Sequence, residues 1–242
     1  MKPMTDLLQA LKHQLIVSVQ AEGNAPLNTP EHLSAMAQTV VLGGARVLRT
    51  AQPDNIRAIK TALPHIPLIG LTKPEPMIEA PNDHVYITPT LADALQVVEA
   101  GADIVALDAT NRPRPGGELL ATIVTELKQQ YPHNRLMADV ATLDDGLRAA
   151  ELGFDIVGTT LAGYTTDTVE RARCGEPDMD LLRALVAQLP CPVVLEGRVW
   201  TPEQVRQGFE AGAWAVVVGS AITRPHQITQ RFLTGIPQHS RQ

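Results

Sequence analysis

The chain has 242 residues, of which 44% are hydrophobic but only 3% aromatic, so aliphatic side chains must form most of its core. Its formal net charge is -6, with 19% charged residues and no block of like charge, which argues against a nucleic-acid or membrane partner. No apolar run reaches the length of a membrane span, and the N-terminal residues lack a signal peptide's continuous apolar stretch. We therefore expect a cytoplasmic protein.

The predicted elements begin with a short helix over residues 1–14 and continue as eight apolar, strand-like runs. Four of these runs resemble one another, since each follows a helix end at glycine: LGGARVLRT, AGADIVALD, LGFDIVGTT and AGAWAVVVG. The eight runs span residues 15–20, 42–50, 67–73, 100–108, 135–140, 152–160, 192–197 and 211–219. Their near-continuous hydrophobicity indicates a parallel sheet that is covered on both faces.

Helical patterns separate the strands, and three of them begin with N-cap signals: Thr90 with Asp93, Thr142 with Asp145, and Thr201 with Gln204. Eight strand–helix units in roughly 225 residues predict a (β/α)8 TIM barrel, closed at one end by the N-terminal helix.

No linker or shift in composition divides the chain, so we predict one domain over residues 1–242. The barrel would occupy residues 15–236 and a tail residues 237–242. Residues 165–178 form the longest polar insertion, which is either a lid or a surface loop.

Polar residues end the predicted strands, where barrels of this kind build their active sites. These residues are Gln20, Arg49, Lys73, Asp108, Asp139, Thr160, Glu196 and Ser220. One polar strand end is ordinarily a solvated rim residue, but a full set of them at one edge indicates a functional site. We include Thr160 among the residues predicted to bind substrate.

Lys73 and Glu196 are the two predicted catalytic residues. A lysine at the mouth of a barrel can accept a proton or act as a Schiff-base nucleophile. Glu196 follows an apolar run, so partial burial should raise its pKa toward the range that suits acid–base catalysis. The alternative for each residue is a salt bridge at the rim.

The loops after the seventh and eighth strands, EGRV (196–199) and GSAITRP (219–225), predict a phosphate site. Glycine lets the backbone approach an anion, and arginine matches the geometry of phosphate. The predicted phosphate-binding residues are Gly197, Arg198, Gly219, Ser220 and Arg224. These glycines could instead be turn residues.

The remaining polar residues indicate a function less specifically. The loop DATNRPRPGG (108–117) could receive an anionic sugar or could only cap the next helix. Cys174 and Cys191 lack a metal-binding spacing, and we interpret both as inert structural thiols in a reducing compartment. The seven histidines are scattered, with none at a strand end, so we expect no metal.

Several motifs carry a family resemblance over about residues 15–233: LIVSVQA, YITPT, ALDATNRPRPGG, MADVATL, GTTLAGYT, LEGRVWTPEQ and VVVGSAITRP. In these motifs the sequence resembles the N-acylglucosamine-6-phosphate (N-acetylmannosamine-6-phosphate) 2-epimerases of bacterial sialic-acid breakdown. The resemblance implies interconversion of N-acetylmannosamine 6-phosphate and N-acetylglucosamine 6-phosphate, without cofactor or metal.

The resemblance also implies roles for particular residues. It places the family's catalytic lysine on Lys73 and its catalytic glutamate on Glu196. It assigns substrate contacts to Gln20, Arg49, Asp139 and Arg224. A homodimer is implied as well, and the apolar last helix (226–236) is a candidate contact.

Two other interpretations remain open at this point. A Schiff-base aldolase or lyase would use Lys73 covalently on a sugar phosphate. A non-catalytic sugar-phosphate sensor would need the phosphate site but not the pairing of Lys73 with Glu196.

Overall fold

A computed structural model describes residues 4–21, 23 and 25–237 of the chain. Its eight strands form a closed parallel barrel in chain order, with β1 paired to both β2 and β8. The strands are β1 (Leu15–Ser18), β2 (Val47–Ala51), β3 (Leu68–Leu71), β4 (Ile104–Asp108), β5 (Arg135–Asp139), β6 (Ile156–Gly158), β7 (Val193–Leu195) and β8 (Ala215–Val218). The prediction of a (β/α)8 barrel is confirmed.

Helices alternate with these strands. They are α1 (Met4–Leu11), α2 (Pro30–Leu42), α3 (Pro53–Ala62), α4 (Leu91–Glu99), α5 (Leu120–Gln130), α6 (Leu143–Glu151), α7 (Met179–Gln188), α8 (Pro202–Glu210), α9 (Ser220–Thr223) and α10 (Pro225–Leu233). None of the helices in the described part of the chain is long and apolar enough to cross a bilayer.

The barrel interior is filled by one face of each strand. Ile16, Val47, Ile69, Ile104 and Val217 are buried inside it, and residues of the opposite strand faces pack against the surrounding helices. This alternation follows from the two-residue period of a strand.

The N-terminal helix α1 closes the lower end of the barrel, as the sequence predicted. Its Leu11 is fully buried with the interior cluster, and the Trp214 indole nitrogen donates to the Leu8 carbonyl at 2.9 Å. Residues 1–3 and the end of the predicted tail, 238–242, lie outside the described residues. That the chain is a single domain over residues 1–242 remains a prediction.

Six of the eight predicted strands end one or two residues too far along the chain, whereas β4 ends as predicted and β2 ends one residue later. β1 ends at Ser18, β3 at Leu71 and β7 at Leu195, so Gln20, Lys73 and Glu196 are the first or second residues of the loops that follow. These loop residues therefore sit at the upper mouth of the barrel, beyond the last strand hydrogen bonds.

The three predicted N-caps are confirmed, and each forms a complete capping box. In α6, the Thr142 hydroxyl accepts from the Asp145 backbone N–H at 3.2 Å, and the Asp145 carboxylate accepts from the Thr142 N–H at 3.0 Å. These bonds satisfy backbone donors that a helix start would otherwise leave without partners.

Thr142→Ala should lower the free energy of unfolding by about 1 kcal/mol, because the α6 N-terminus loses its cap. Urea denaturation measures the change. Thr125→Ala is the matched control, since Thr125 is exposed inside α5 and only bonds back to the Ala121 carbonyl. Equal stability of Thr142→Ala and the unsubstituted protein would contradict the capping argument.

Candidate active site

A cavity of about 590 Å³ opens at the upper mouth of the barrel. All the predicted catalytic, substrate-binding and phosphate-binding residues except Arg49 and Asp139 line it: Gln20, Lys73, Thr160, Glu196, Gly197, Arg198, Gly219, Ser220 and Arg224. Residues predicted from separate strand ends are thus brought to one pocket.

Arg49 and Asp139 lie beneath the cavity as a buried ion pair, with 1% and 0% of their side chains exposed. The Arg49 guanidinium binds both Asp139 carboxylate oxygens, at 3.1 and 2.5 Å. Its Nη1 also lies 3.2 Å from Glu196 Oε2 and donates to Met137 Sδ at 3.4 Å. Arg49 therefore joins two carboxylates under the cavity floor.

The pKa values of Arg49 and Glu196 are both raised, but for different reasons. Burial would lower the pKa of Arg49, but the charges of Asp139 and Glu196 outweigh it and raise that pKa. Burial raises the pKa of Glu196, the Asp139 charge adds to the rise, and Arg49, Thr160 and Lys73 oppose it. The direction predicted for Glu196 is confirmed, and a neutral Glu196 persists to higher pH than an ordinary glutamic acid.

Two threonines at the end of β6 hold Glu196. The Thr160 hydroxyl lies 2.6 Å from Asp139 Oδ1 and 3.1 Å from Glu196 Oε2. The Thr159 hydroxyl accepts from the Glu196 backbone N–H at 3.0 Å and donates to its carbonyl at 2.9 Å. Both the backbone and the carboxyl of Glu196 are therefore fixed relative to β6.

Lys73 is half-buried and lines the same cavity as Glu196. Its carbonyl accepts from the Gln52 amide at 2.7 Å, and the preceding Thr72 N–H donates to the buried Thr88 hydroxyl at 3.1 Å. Its positive charge contributes to the pKa of Glu196, which places the two predicted catalytic groups within electrostatic reach of each other.

The two predicted phosphate loops lie side by side at the cavity. Gly197 has φ of 105°, which favours glycine, and a Cβ on Gly219 would lie 3.2 Å from the Ser18 Cβ. The Thr223 hydroxyl at the end of α9 donates to the Ser18 carbonyl at 2.7 Å, which ties this turn to β1.

Arg198 lines the cavity but also holds a neighbouring loop. Its guanidinium donates to the Ala162 carbonyl at 2.6 Å and to the Glu176 carbonyl at 2.7 Å, and it lies 5.5 Å from the Tyr164 ring centroid. Near its C-terminal end, at Glu176, the predicted insertion 165–178 is thereby bonded to the β7–α8 loop.

Two tyrosines of the cavity wall, Tyr86 and Tyr164, were not predicted as site residues. The signal was available, because the chain has only three tyrosines and these two lie within the YITPT and GTTLAGYT motifs. Burial and the Asp108 charge raise the pKa of Tyr86, so its phenol stays neutral.

Other candidate residues are placed away from the cavity. Asp108 is fully buried and pairs with Arg112 at 2.6 Å, outside the set of residues that line the pocket. Cys174 is exposed, so the interpretation of a buried structural thiol is wrong for it, while Cys191 is half-buried and its burial raises its pKa. Within the described residues, no three His, Cys, Asp or Glu side chains are grouped to hold a metal ion.

The barrel and its polar upper cavity place the protein in the (β/α)8-barrel class, in which active sites lie at this end of the strands. Residues 33–238 match the NanE family model, described as "Putative N-acetylmannosamine-6-phosphate epimerase". The chain belongs to this family, and the resemblance inferred from the motifs is confirmed.

Relatives match the chain over nearly its whole length. Two proteins named "Putative N-acetylmannosamine-6-phosphate 2-epimerase" are each 44% identical to it. The one from Caldanaerobacter subterraneus subsp. tengcongensis covers 96% of this chain and 95% of its own, and the one from Enterobacter sp. (strain 638) covers 98% of both. A solved structure of the N-acetylmannosamine-6-phosphate 2-epimerase from Clostridium perfringens matches with a TM-score of 0.87 and 36% identity, covering 95% of this chain and 96% of that one.

Asp139→Asn should lower the pKa of Glu196, because it removes a negative neighbour and leaves more of the Arg49 charge to the remaining carboxylate. Carbon-13 NMR titration of labelled glutamate carboxyls measures the shift. The exposed Glu203, whose hydrogen bond to Arg206 lowers its pKa, is the internal control and should not move. An unchanged or raised Glu196 pKa in the variant would contradict the network described above.

Proposed function

We propose that this protein interconverts N-acetylmannosamine 6-phosphate and N-acetylglucosamine 6-phosphate by removing and returning the proton on carbon 2. One observation carries the proposal: Lys73, Glu196 and the two glycine-containing loops of phosphate-binding type line a single cavity. The prediction of an isomerase of this kind agrees with the family to which the chain belongs.

The chemistry needs two proton-transferring groups. In the open-chain sugar, carbon 2 is adjacent to the carbon 1 aldehyde, so its hydrogen is acidic enough for removal once the ring has opened. Lys73 removes the carbon 2 proton from one face, and a proton returns to the opposite face once the enediolate has turned within the cavity, which inverts that carbon. Glu196 exchanges a proton with the oxygen on carbon 1 and so stabilises the enediolate. The raised pKa of Glu196 supports this role, because the carboxyl must be able to donate.

The supporting residues act at different distances from the sugar. Gln20 and Thr160 line the cavity, and we assign them contacts with substrate hydroxyls or the acetamido group. Arg49 and Asp139 lie under the cavity floor in contact with Glu196 or its partner Thr160. Arg49 would therefore act on the substrate through Glu196, and Asp139 would act through Thr160.

The phosphate site would fix the reacting carbon in place. Backbone N–H groups of Gly197, Gly219 and Ser220, together with Arg224, would hold the 6-phosphate, and Arg198 would add positive charge beside them. Binding energy from this remote group then positions carbon 2 between Lys73 and Glu196.

A Schiff-base aldolase, the alternative that the sequence left open, is not favoured, because the matching family and relatives are named as epimerases. The two mechanisms also differ in a simple test. Borohydride should fail to trap substrate on Lys73 in an epimerase and should succeed in an aldolase.

The cellular setting is part of the proposal. The enzyme would act in the cytoplasm, in the breakdown of sialic acid and other amino sugars, as a homodimer. Exposed apolar residues on and just after α10 support the dimer: Phe232, Leu233 and Ile236 are 79%, 55% and 60% exposed.

Lys73→Met should keep affinity for the sugar phosphate and reduce turnover by about 10²- to 10⁴-fold, because it removes the proton acceptor but leaves the phosphate loops intact. Glu196→Gln should behave in the same way. Proton NMR of the conversion measures turnover, and calorimetry measures binding. The control is Lys128→Met, on the exposed face of α5. Full activity of Lys73→Met would overturn the proposed function.

A further inference from the structure

Arg112 lies outside the cavity but contacts three residues that line it. It follows β4 in the loop to α5, with 10% of its side chain exposed. The mechanism above gives it no role. The loop that contains it was predicted either to bind an anionic sugar or to cap a helix; Arg112 itself contacts a carboxylate, a hydroxyl and two carbonyls of the protein.

One side of the Arg112 guanidinium is anchored to the end of β4. Its Nη2 lies 2.6 Å from Oδ2 of the fully buried Asp108, and its Nε donates to the Thr110 hydroxyl at 2.9 Å. Asp108 Oδ1 in turn accepts from the Thr110 N–H and hydroxyl, at 3.0 and 2.7 Å. The position of the guanidinium is therefore set by the barrel itself.

The other side of the guanidinium reaches two loops. Its Nη1 donates to the Pro81 carbonyl at 2.8 Å in the β3–α4 loop and lies 3.5 Å from the Tyr164 carbonyl in the β6–α7 loop. The guanidinium carbon lies 5.5 Å from the Tyr86 ring centroid. Pro81, Tyr86 and Tyr164, with Asn82, line the cavity, and we call these four residues the tyrosine wall.

A second contact joins the same two loops directly. The Thr166 N–H donates to the Asn82 carbonyl at 3.2 Å, and the Thr166 hydroxyl donates to the Asp83 carboxylate. The two loops are thus fastened to each other at Thr166 and to the barrel at Arg112. They form one continuous wall at this side of the cavity.

The barrel order decides what this wall faces. In a ring of eight strands, β3 and β4 lie opposite β7 and β8. The phosphate loops follow β7 and β8, whereas most of the tyrosine wall follows β3. A substrate held by its phosphate would extend across the cavity toward the side of β3, where Lys73 and most of the wall lie, and would bring carbons 1 and 2 there.

We propose that Arg112 is a positioning residue that holds the tyrosine wall against the reacting end of the substrate. The kinetic effect expected of this role rests on the proposed function. Arginine is required because its planar fork reaches Asp108, Thr110 and Pro81 in three directions at once, whereas a lysine ammonium is a single charged point.

Arg112→Lys should therefore lower kcat/KM for the sugar phosphate by about 10- to 100-fold, since the reacting end is held less closely. Inhibition by inorganic phosphate should keep its constant, because Arg112 contacts none of the predicted phosphate-binding residues. The matched control is Arg183→Lys, whose partner Asp180 is exposed on α7; its kinetics should be those of the unsubstituted enzyme.

Hydrogen exchange provides a readout that does not depend on activity. In Arg112→Lys, residues 79–86 and 161–168 should both exchange faster, while β7 and β8 stay as protected as before. Thr166→Val, a milder change that leaves the Asp108 anchor intact, should speed exchange in the same two segments and stands in if Arg112→Lys fails to fold.

The outcomes separate the two proposals. Faster exchange in both segments with lost kcat/KM and unchanged phosphate inhibition supports the role of Arg112. Unchanged exchange and unchanged kinetics in both variants overturn it, as does a lowered melting temperature with unaltered kinetics. If the unsubstituted protein lacks epimerase activity, the proposed function fails, and coupled exchange of the two segments still decides whether Arg112 holds the wall.

Discussion

The buried ion pair between Arg49 and Asp139 is the interaction on which the rest of the site depends. Taking two charges out of water is costly, and removing either partner of such a pair costs about 3–5 kcal/mol, because it leaves an uncompensated charge inside the protein. In return, the guanidinium reaches Glu196 at 3.2 Å and fixes its carboxyl at the cavity floor. An apolar pair would fill the same space but would hold no acid there. The barrel interior therefore changes from aliphatic below to ionic at the level where chemistry is proposed.

Arginine contacts fasten the structure around the cavity. Arg198 holds the β6–α7 loop from one side, through the Ala162 and Glu176 carbonyls. Arg112 contacts the same loop from the other side, through the Tyr164 carbonyl, while Arg114 donates to the Pro89 carbonyl at 3.0 Å and also to the Asp108 carbonyl. Each guanidinium satisfies loop carbonyls that would otherwise need water, and its planar shape fixes the direction of each bond. These bonds join the loops of the upper mouth to one another and to the barrel.

The sequence predicted those features that depend on local pattern. The eight strands, the three capping boxes and the strand ends that meet at one cavity all follow from periodicity and spacing, and parallel strands bring their ends to one edge. It did not predict that Arg49 and Asp139 lie below the cavity floor. That depth depends on where each strand stops: Arg49 is inside β2, between inward-facing Val47 and Ala51, whereas Lys73 is two residues past β3. The hydrogen bonds of Arg112 and Arg198 to loop carbonyls were also not predicted. Their partners are distant in sequence, and every residue has a backbone carbonyl, so no residue type marks these bonds.

The most direct test of the account is proton NMR of N-acetylmannosamine 6-phosphate incubated with the protein in deuterated water. Proton removal at carbon 2 predicts that N-acetylglucosamine 6-phosphate appears with deuterium at that carbon, since the group that returns the proton exchanges with solvent. Glu196→Gln should still bind the sugar phosphate but should incorporate far less deuterium. If the phosphorylated sugar binds and neither product nor exchange at carbon 2 appears, the barrel and its phosphate loops stand, but the proton-transfer role of Lys73 and Glu196 is contradicted.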